Sequence, residues 1–142
     1  MFQGASALAL DGKGRLTIPA RHRELLDATA GGKLTITRNP EGFLMLVPRP
    51  EWEAYREAAM ALKNDAASWR RILIGNAMDV EIDGSSRVLI SPELRTAVGL
   101  TREVMLLGLG RYFELWDRAK YEAFDAAVAQ SPMPESIKNF AF

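Results

Sequence analysis

The sequence has no cysteine and a single histidine, His22. That excludes a disulfide framework, thiolate chemistry and histidine-rich metal sites. Neither sign of charge is in excess: 18 Lys and Arg stand against 18 Asp and Glu, a formal net charge of zero. A wholly basic nucleic-acid binder is therefore excluded, whereas a locally basic one is not. No apolar run approaches the roughly 18 residues of a membrane span. Phe2 to Leu10 is short and interrupted by Gln3, Gly4 and Ser6, so no signal peptide and a cytoplasmic location are expected. Enzymatic readings lack material too. No carboxylate stands out in an apolar, Gly-flanked setting. Gly12-x-Gly14 precedes a strand rather than the helix that a phosphate-cradling loop requires. His22, between Arg21 and Arg23, reads as a surface residue. No catalytic residue, metal, cofactor, small-molecule ligand or membrane contact is expected.

What the chain does contain is a repeat, and repeats decide the fold before any motif does. Asp11-Gly12-Lys13-Gly14-Arg15 leads into Leu16-Thr17-Ile18, Pro19 and, a little further on, Arg23. Asp83-Gly84-Ser85-Ser86-Arg87 leads likewise into Val88-Leu89-Ile90, Pro92 and Arg95. Asp-Gly is a strong hairpin signal, here reached from the alternating stretch Ala7–Leu10. Pro19 is expected at the first position of a short helix over Ala20–Leu26, where its missing N–H needs no partner. Leu34–Thr37 reads as a third strand. Phe43–Val47 reads as a fourth, buried on both faces because it is almost wholly apolar. Pro50 opens a longer helix with Trp52, Tyr55 and Ala59 at helical spacing.

After a linker helix over 64–76, with Ser68 as its expected cap, the order returns. Met78–Ile82 alternates, Asp83-Gly84 turns, and Pro92 starts a helix. Val104–Leu107 is the third strand, Gly108–Arg111 a turn and Tyr112–Trp116 the fourth strand. Tyr121, Phe124 and Val128 then take the places of Trp52, Tyr55 and Ala59. Each half reads β-β-α-β-β-α, and four short strands need a partner to cover their apolar face. The expected fold class is α+β, as two tandem repeats over 1–63 and 77–130 that share one pseudo-symmetric core. A flexible tail is expected over 131–142.

The paired Asp-x-x-x-Arg motifs, the opening Met1-Phe2-Gln3-Gly4-Ala5 and the phrase Gly14-Arg15-Leu16-Thr17-Ile18-Pro19 resemble the MraZ family, bacterial proteins built from two AbrB-type swapped-hairpin domains. The resemblance covers about Met1 to Ala129. It implies a swapped-hairpin β-barrel with flanking helices. It also implies a nucleoid-associated DNA-binding transcriptional regulator, usually a repressor of the division and cell-wall gene cluster. Such a protein binds short direct repeats in double-stranded DNA upstream of its own operon, as a ring of octamer or dodecamer type. The family's motif arginines map to Arg15 and Arg87.

The residues support that reading on their own terms. A two-stranded β-ribbon can enter the major groove and present alternate side chains to base edges. Arg15 and Thr17 share the face of their strand opposite Leu16 and Ile18. An arginine fork fits guanine O6 and N7 or a phosphate, and Lys13 suits a phosphate as a mobile point charge. Two roles are open to Asp11: holding Arg15, or bonding backbone N–H groups to shape the turn with Gly12 and Gly14. Asp83 and Gly84 repeat that choice beside Arg87. Arg21 and Arg23 are either a solvated helix face or additional phosphate contacts. Ser85-Ser86 in place of Lys13-Gly14 removes a cation, so the second motif is expected to contribute less. Trp69, Phe2 and the outer sides of the later helices are candidates for a self-interface. An antitoxin-like protein-binding module and a purely structural oligomer are the alternatives.

Overall fold

The computed structural model describes residues 1–141, with side chains through Phe140. The first half runs β1 (Phe2–Ala9), β2 (Arg15–Thr17), α1 (Ala20–Ala30), β3 (Lys33–Arg38), β4 (Leu44–Pro48) and α2 (Arg49–Met60). A 3-10 turn at Asn64–Ala66 and α3 (Ala67–Gly75) follow. The second half runs β5 (Met78–Glu81), β6 (Arg87–Leu89), α4 (Pro92–Ala97), β7 (Glu103–Gly110), β8 (Phe113–Asp117) and α5 (Arg118–Gln130), before α6 (Glu135–Ala141). The β-β-α-β-β-α order thus occurs twice.

The strands pair across the halves. Six of them form one antiparallel sheet in the order β1-β7-β8-β4-β3-β5, and β2 pairs with β6 in a separate two-stranded ribbon. Among the described residues, only β3–β4 and β7–β8 are neighbours drawn from the same half. The expected Asp11-Gly12 hairpin is corrected here. The turn does close, with Asp11 N–H donating to the Arg15 carbonyl, but its two strands then part. β1 goes to β7, and β2 goes to β6. Each half has an apolar sheet face too small to cover itself, and exchanging strands buries both at once.

β4 shows why the sheet needs cover on both sides. Leu44 and Leu46 face the main core with Leu34, Ile36, Leu106, Phe113 and Leu115. Met45 and Val47 face a second cluster with Phe43, Trp52 and Trp116. Every residue of β4 is buried, as its apolar run predicts. Leu16, Ile18, Val88 and Ile90 join the main core, so the ribbon's inner face is fastened to the sheet.

Several local expectations shift. α1 extends to Ala30, and Pro19 precedes it in extended conformation rather than opening it. Extension there continues the strand through Ile18, whose N–H donates to the Ser86 carbonyl. Ser68 lies inside α3 and caps nothing; the capping position is Ala66, which has no side-chain oxygen. Gly108 lies within β7, not in a turn. A Cβ there would fall 2.6 Å from the Gln3 backbone nitrogen, so the missing side chain is what lets β1 dock. The stripe on α5 is covered only in part: Tyr121 and Phe124 pack on Trp116, yet Phe124 stays 47% and Val128 54% exposed, whereas Trp52 and Ala59 on α2 are buried. The segment 131–142, expected as a flexible tail, contains α6; its last residue, Phe142, lies outside the described residues.

Candidate nucleic-acid interface

The ribbon β2–β6 is three residue pairs long: Arg15 opposite Leu89, Leu16 opposite Val88, and Thr17 opposite Arg87. Directly opposed residues point to the same face of a sheet, and that face alternates along the strand. Leu16 and Val88 therefore point inward, and both are buried. Arg15, Thr17, Arg87 and Leu89 form the outer face. Arg15 and Arg87 are diagonal neighbours on it, a placement that spans about 7–8 Å between positions. Two residues far apart in the chain thus become one paired-arginine surface.

Each arginine is held from behind by its own turn. Asp11 Oδ1 accepts from the backbone N–H of Lys13 and of Arg15, both at 2.9 Å. Asp11 Oδ2 accepts from Arg15 Nε at 2.6 Å. In the second turn Asp83 Oδ1 accepts from Ser85 and Arg87 N–H, and Oδ2 from Arg87 Nε at 3.1 Å. Both roles considered for Asp11 therefore operate together. Because the aspartates engage Nε, the terminal Nη atoms of each guanidinium lie outside these contacts. The Arg15 backbone N–H, then its guanidinium and the Lys13 N–H, hold the Asp11 carboxyl down at about 2. Asp83 is lowered too, chiefly by the Arg87 N–H. The turns are therefore anchored by ionised carboxylates across the physiological range.

The two turns differ in detail. Gly14 sits at φ 82°, and its counterpart Ser86 reaches the same left-handed region at φ 61°. A Cβ on Gly14 would lie 2.6 Å from Arg95 Cζ, because the Arg95 guanidinium packs flat against that turn. Arg95 and Arg102 line the same recess as Asp11 and Gly12, so the second half contributes two cations to the first turn. Sequence reasoning passed over Arg95 as a site residue. The repeat itself held the signal, since Arg95 and Arg23 occupy equivalent places. Arg95 Nε donates to the Ile90 carbonyl and Arg23 Nε to the Ile18 carbonyl.

Of the other candidates, Lys13 lies exposed in the first turn. Arg23 is tied to the ribbon's base rather than being an unengaged helix-face residue. Arg21 is directed elsewhere, donating to Ser6 Oγ and the Ala5 carbonyl well back along β1. His22 is not on the surface. It is 4% exposed and packs edge-on against Phe2 and Phe113, at centroid distances of 5.8 and 5.0 Å. Burial, and secondarily the Arg21 charge, lower its pKa. Phe2 is equally buried, which removes it from the surface of this chain, whereas Trp69 is 45% exposed.

With this geometry in place, comparison with known proteins adds a family. The family described as "MraZ protein, putative antitoxin-like" matches residues 1–74 and again 73–139. The chain belongs to the MraZ family. It is 58% identical to the Transcriptional regulator MraZ of Variovorax paradoxus (strain S110) over 142 residues, covering all of both chains. It is 61% identical to that of Verminephrobacter eiseniae (strain EF01-2), again over the full length of both. To that of Burkholderia cenocepacia it is 56% identical over the same span. The two MraZ matches meet at residues 73–74, near the end of α3 and shortly before β5, where the element order begins again.

Proposed function

We propose that this chain is a transcriptional regulator that binds double-stranded DNA through the β2–β6 ribbon. The observation that carries the reading is the register of that ribbon, which sets Arg15 and Arg87 diagonally on one outer face. A two-stranded ribbon fits the major groove, and each guanidinium fork matches guanine O6 and N7. Base steps in B-DNA rise about 3.4 Å along a strand, so arginines about 7–8 Å apart suit bases roughly two steps apart. Lys13, Arg95 and Arg102 around the first turn suit phosphates. This concentration of cations favours the first motif as the stronger contributor.

One chain offers only a small basic patch, and its affinity alone is modest and salt-sensitive. We assign a ring-shaped homo-oligomer, of octamer or dodecamer type, which raises effective concentration against repeated sites in DNA. The swapped-hairpin barrel is the matching architecture for each chain. The half-exposed Phe124, Val128 and Trp69 are its candidate self-contacts. Direct repeats upstream of its own operon in the division and cell-wall cluster are the assigned target, repression the assigned outcome and the cytoplasmic nucleoid the assigned place. An antitoxin-like module fits less well, because the residues after β8 form α5 and α6 rather than a disordered neutralising tail.

The test is a titration of wild type and Arg15→Ala against DNA from upstream of the gene and a scrambled duplex, at two salt concentrations. Losing one bidentate contact costs about 1–3 kcal/mol. Preference for the native duplex should therefore fall roughly 5- to 150-fold, with folding intact. Arg87→Ala should lose less. Unchanged preference in Arg15→Ala would reject the site; no preference in wild type would reject the function.

A further inference from the structure

The outer face of the ribbon holds one residue that neither charge nor turn geometry explains. Leu89 is 51% exposed, yet it stands directly opposite Arg15 and on the same face as Arg15, Thr17 and Arg87. A single exposed leucine is ordinary on a protein surface, so exposure alone carries nothing. Its register does. Leu89 lies beside Arg15 on that face, with their Cβ atoms about 4.5–5.5 Å apart as in any directly opposed pair, so the base that Arg15 reaches has Leu89 as its neighbour on the ribbon.

The pseudo-symmetry sharpens the point. Thr17 occupies the corresponding place in the first half and lies opposite Arg87. Each arginine is therefore flanked by a side chain bearing a methyl group. Thr17 also carries a hydroxyl, which can donate or accept and so tolerates several base edges. Leu89 can do neither. The major-groove feature that suits a purely apolar side chain is the C5-methyl group of thymine. Cytosine in that place would present an N4 amino donor to a leucine unable to accept it, leaving that donor unpaired in a closed interface.

We propose that Leu89 is a specificity-determining residue: it packs on the 5-methyl group of a thymine adjacent to the base contacted by Arg15. The inference rests on the reading of the ribbon as a major-groove element. It goes further by naming the base feature and by making the two halves unequal in selectivity, with Leu89 demanding and Thr17 permissive.

The experiment uses the full chain and a duplex that wild type enriches from a randomised pool. A second duplex of the same sequence carries deoxyuridine for every thymine, which deletes only the methyl groups. Wild type and Leu89→Ala are titrated against both and against a scrambled duplex, with thermal melts of each protein. Removing one buried methyl contact is worth about fourfold in affinity. Wild type should lose about fourfold or more on the uridine duplex. Leu89→Ala should already be weaker on the thymine duplex by a similar factor, and lose little more when uridine replaces thymine. Binding to scrambled DNA and the melting temperature should not change.

Two results overturn the proposal while sparing the function: equal uridine losses in both proteins, or full wild-type affinity in Leu89→Ala. If wild type enriches no sequence at all, the regulator reading fails and this inference with it.

Discussion

Asp11 illustrates how much one side chain sets at the residue scale. Its two oxygens hold two backbone N–H groups and the Arg15 Nε, so turn shape and arginine placement depend on one charge. The folded pKa, about 2, lies below the ordinary 3.8. A depressed carboxylate stabilises the folded turn fully above its unfolded pKa, and that contribution fades as pH falls through the folded value. The turn should therefore be fully held above about pH 4 and loosen toward pH 2. Carboxyl-carbon chemical shifts of Asp11 followed by NMR should titrate with a midpoint near 2, and the Arg15 Nε–H signal should weaken over the same interval. A midpoint near the ordinary 3.8 would mean that these bonds do not persist in solution. Gly14 and Ser86 make a related contrast. Both occupy the left-handed region, which is strained for any residue with a Cβ, and at Gly14 a guanidinium also packs where a Cβ would be.

At the scale of elements, the chain's strands are joined by turns that close and partners that lie elsewhere. β1 runs along β7 for eight residue pairs, including Gly4 opposite Gly108. A Cβ on Gly108 would lie 2.6 Å from Gln3 N and 2.9 Å from Gln3 Cα, and backbone cannot rotate aside as a flexible side chain can. Gly108→Ala should therefore destabilise by about 1–3 kcal/mol, the usual cost of forcing atoms into a filled site. In a chain of this size that lowers Tm by several degrees. Amide exchange should accelerate first along β1. An unaltered melt would show that β1 can move off β7 without penalty. Gly108 was legible only as a turn former, because sequence shows that a glycine is present but not which backbone approaches it. Strand β4, by contrast, was legible as doubly buried, since a continuous apolar run leaves no face for water.

At the scale of the whole molecule, the halves cannot be separated without leaving strands unpaired. Among the described residues, β1 and β2 find their partners only in the second half, and β5 pairs only with β3 of the first. A fragment of residues 1–74, the span of the first family match, should accordingly be unfolded as a monomer, or fold only by exchanging strands with a second copy. Mixing it with 73–142 should restore a cooperative unfolding transition, as read by circular dichroism and sedimentation. A monomeric 1–74 fragment with its own cooperative melt would contradict the exchange. Strand pairing across the halves thus predicts one folding unit rather than two.

The sequence by itself determined the repeat, the two Asp-anchored turns, the arginines that follow them, the α+β class and the family resemblance. These are local signals, encoded within a turn and its flanking residues by dihedral preference and hydrophobic period. Only the tertiary structure decided that β2 pairs with β6, that Leu89 stands beside Arg15, that Arg95 packs on the opposite half's turn, and that His22 and Phe2 are buried. Those outcomes depend on strand partnership, and an Asp-Gly turn is equally compatible with a strand that pairs back on its neighbour and one that leaves it. The choice was made by the joint burial of two apolar faces, each too small to be covered by its own half.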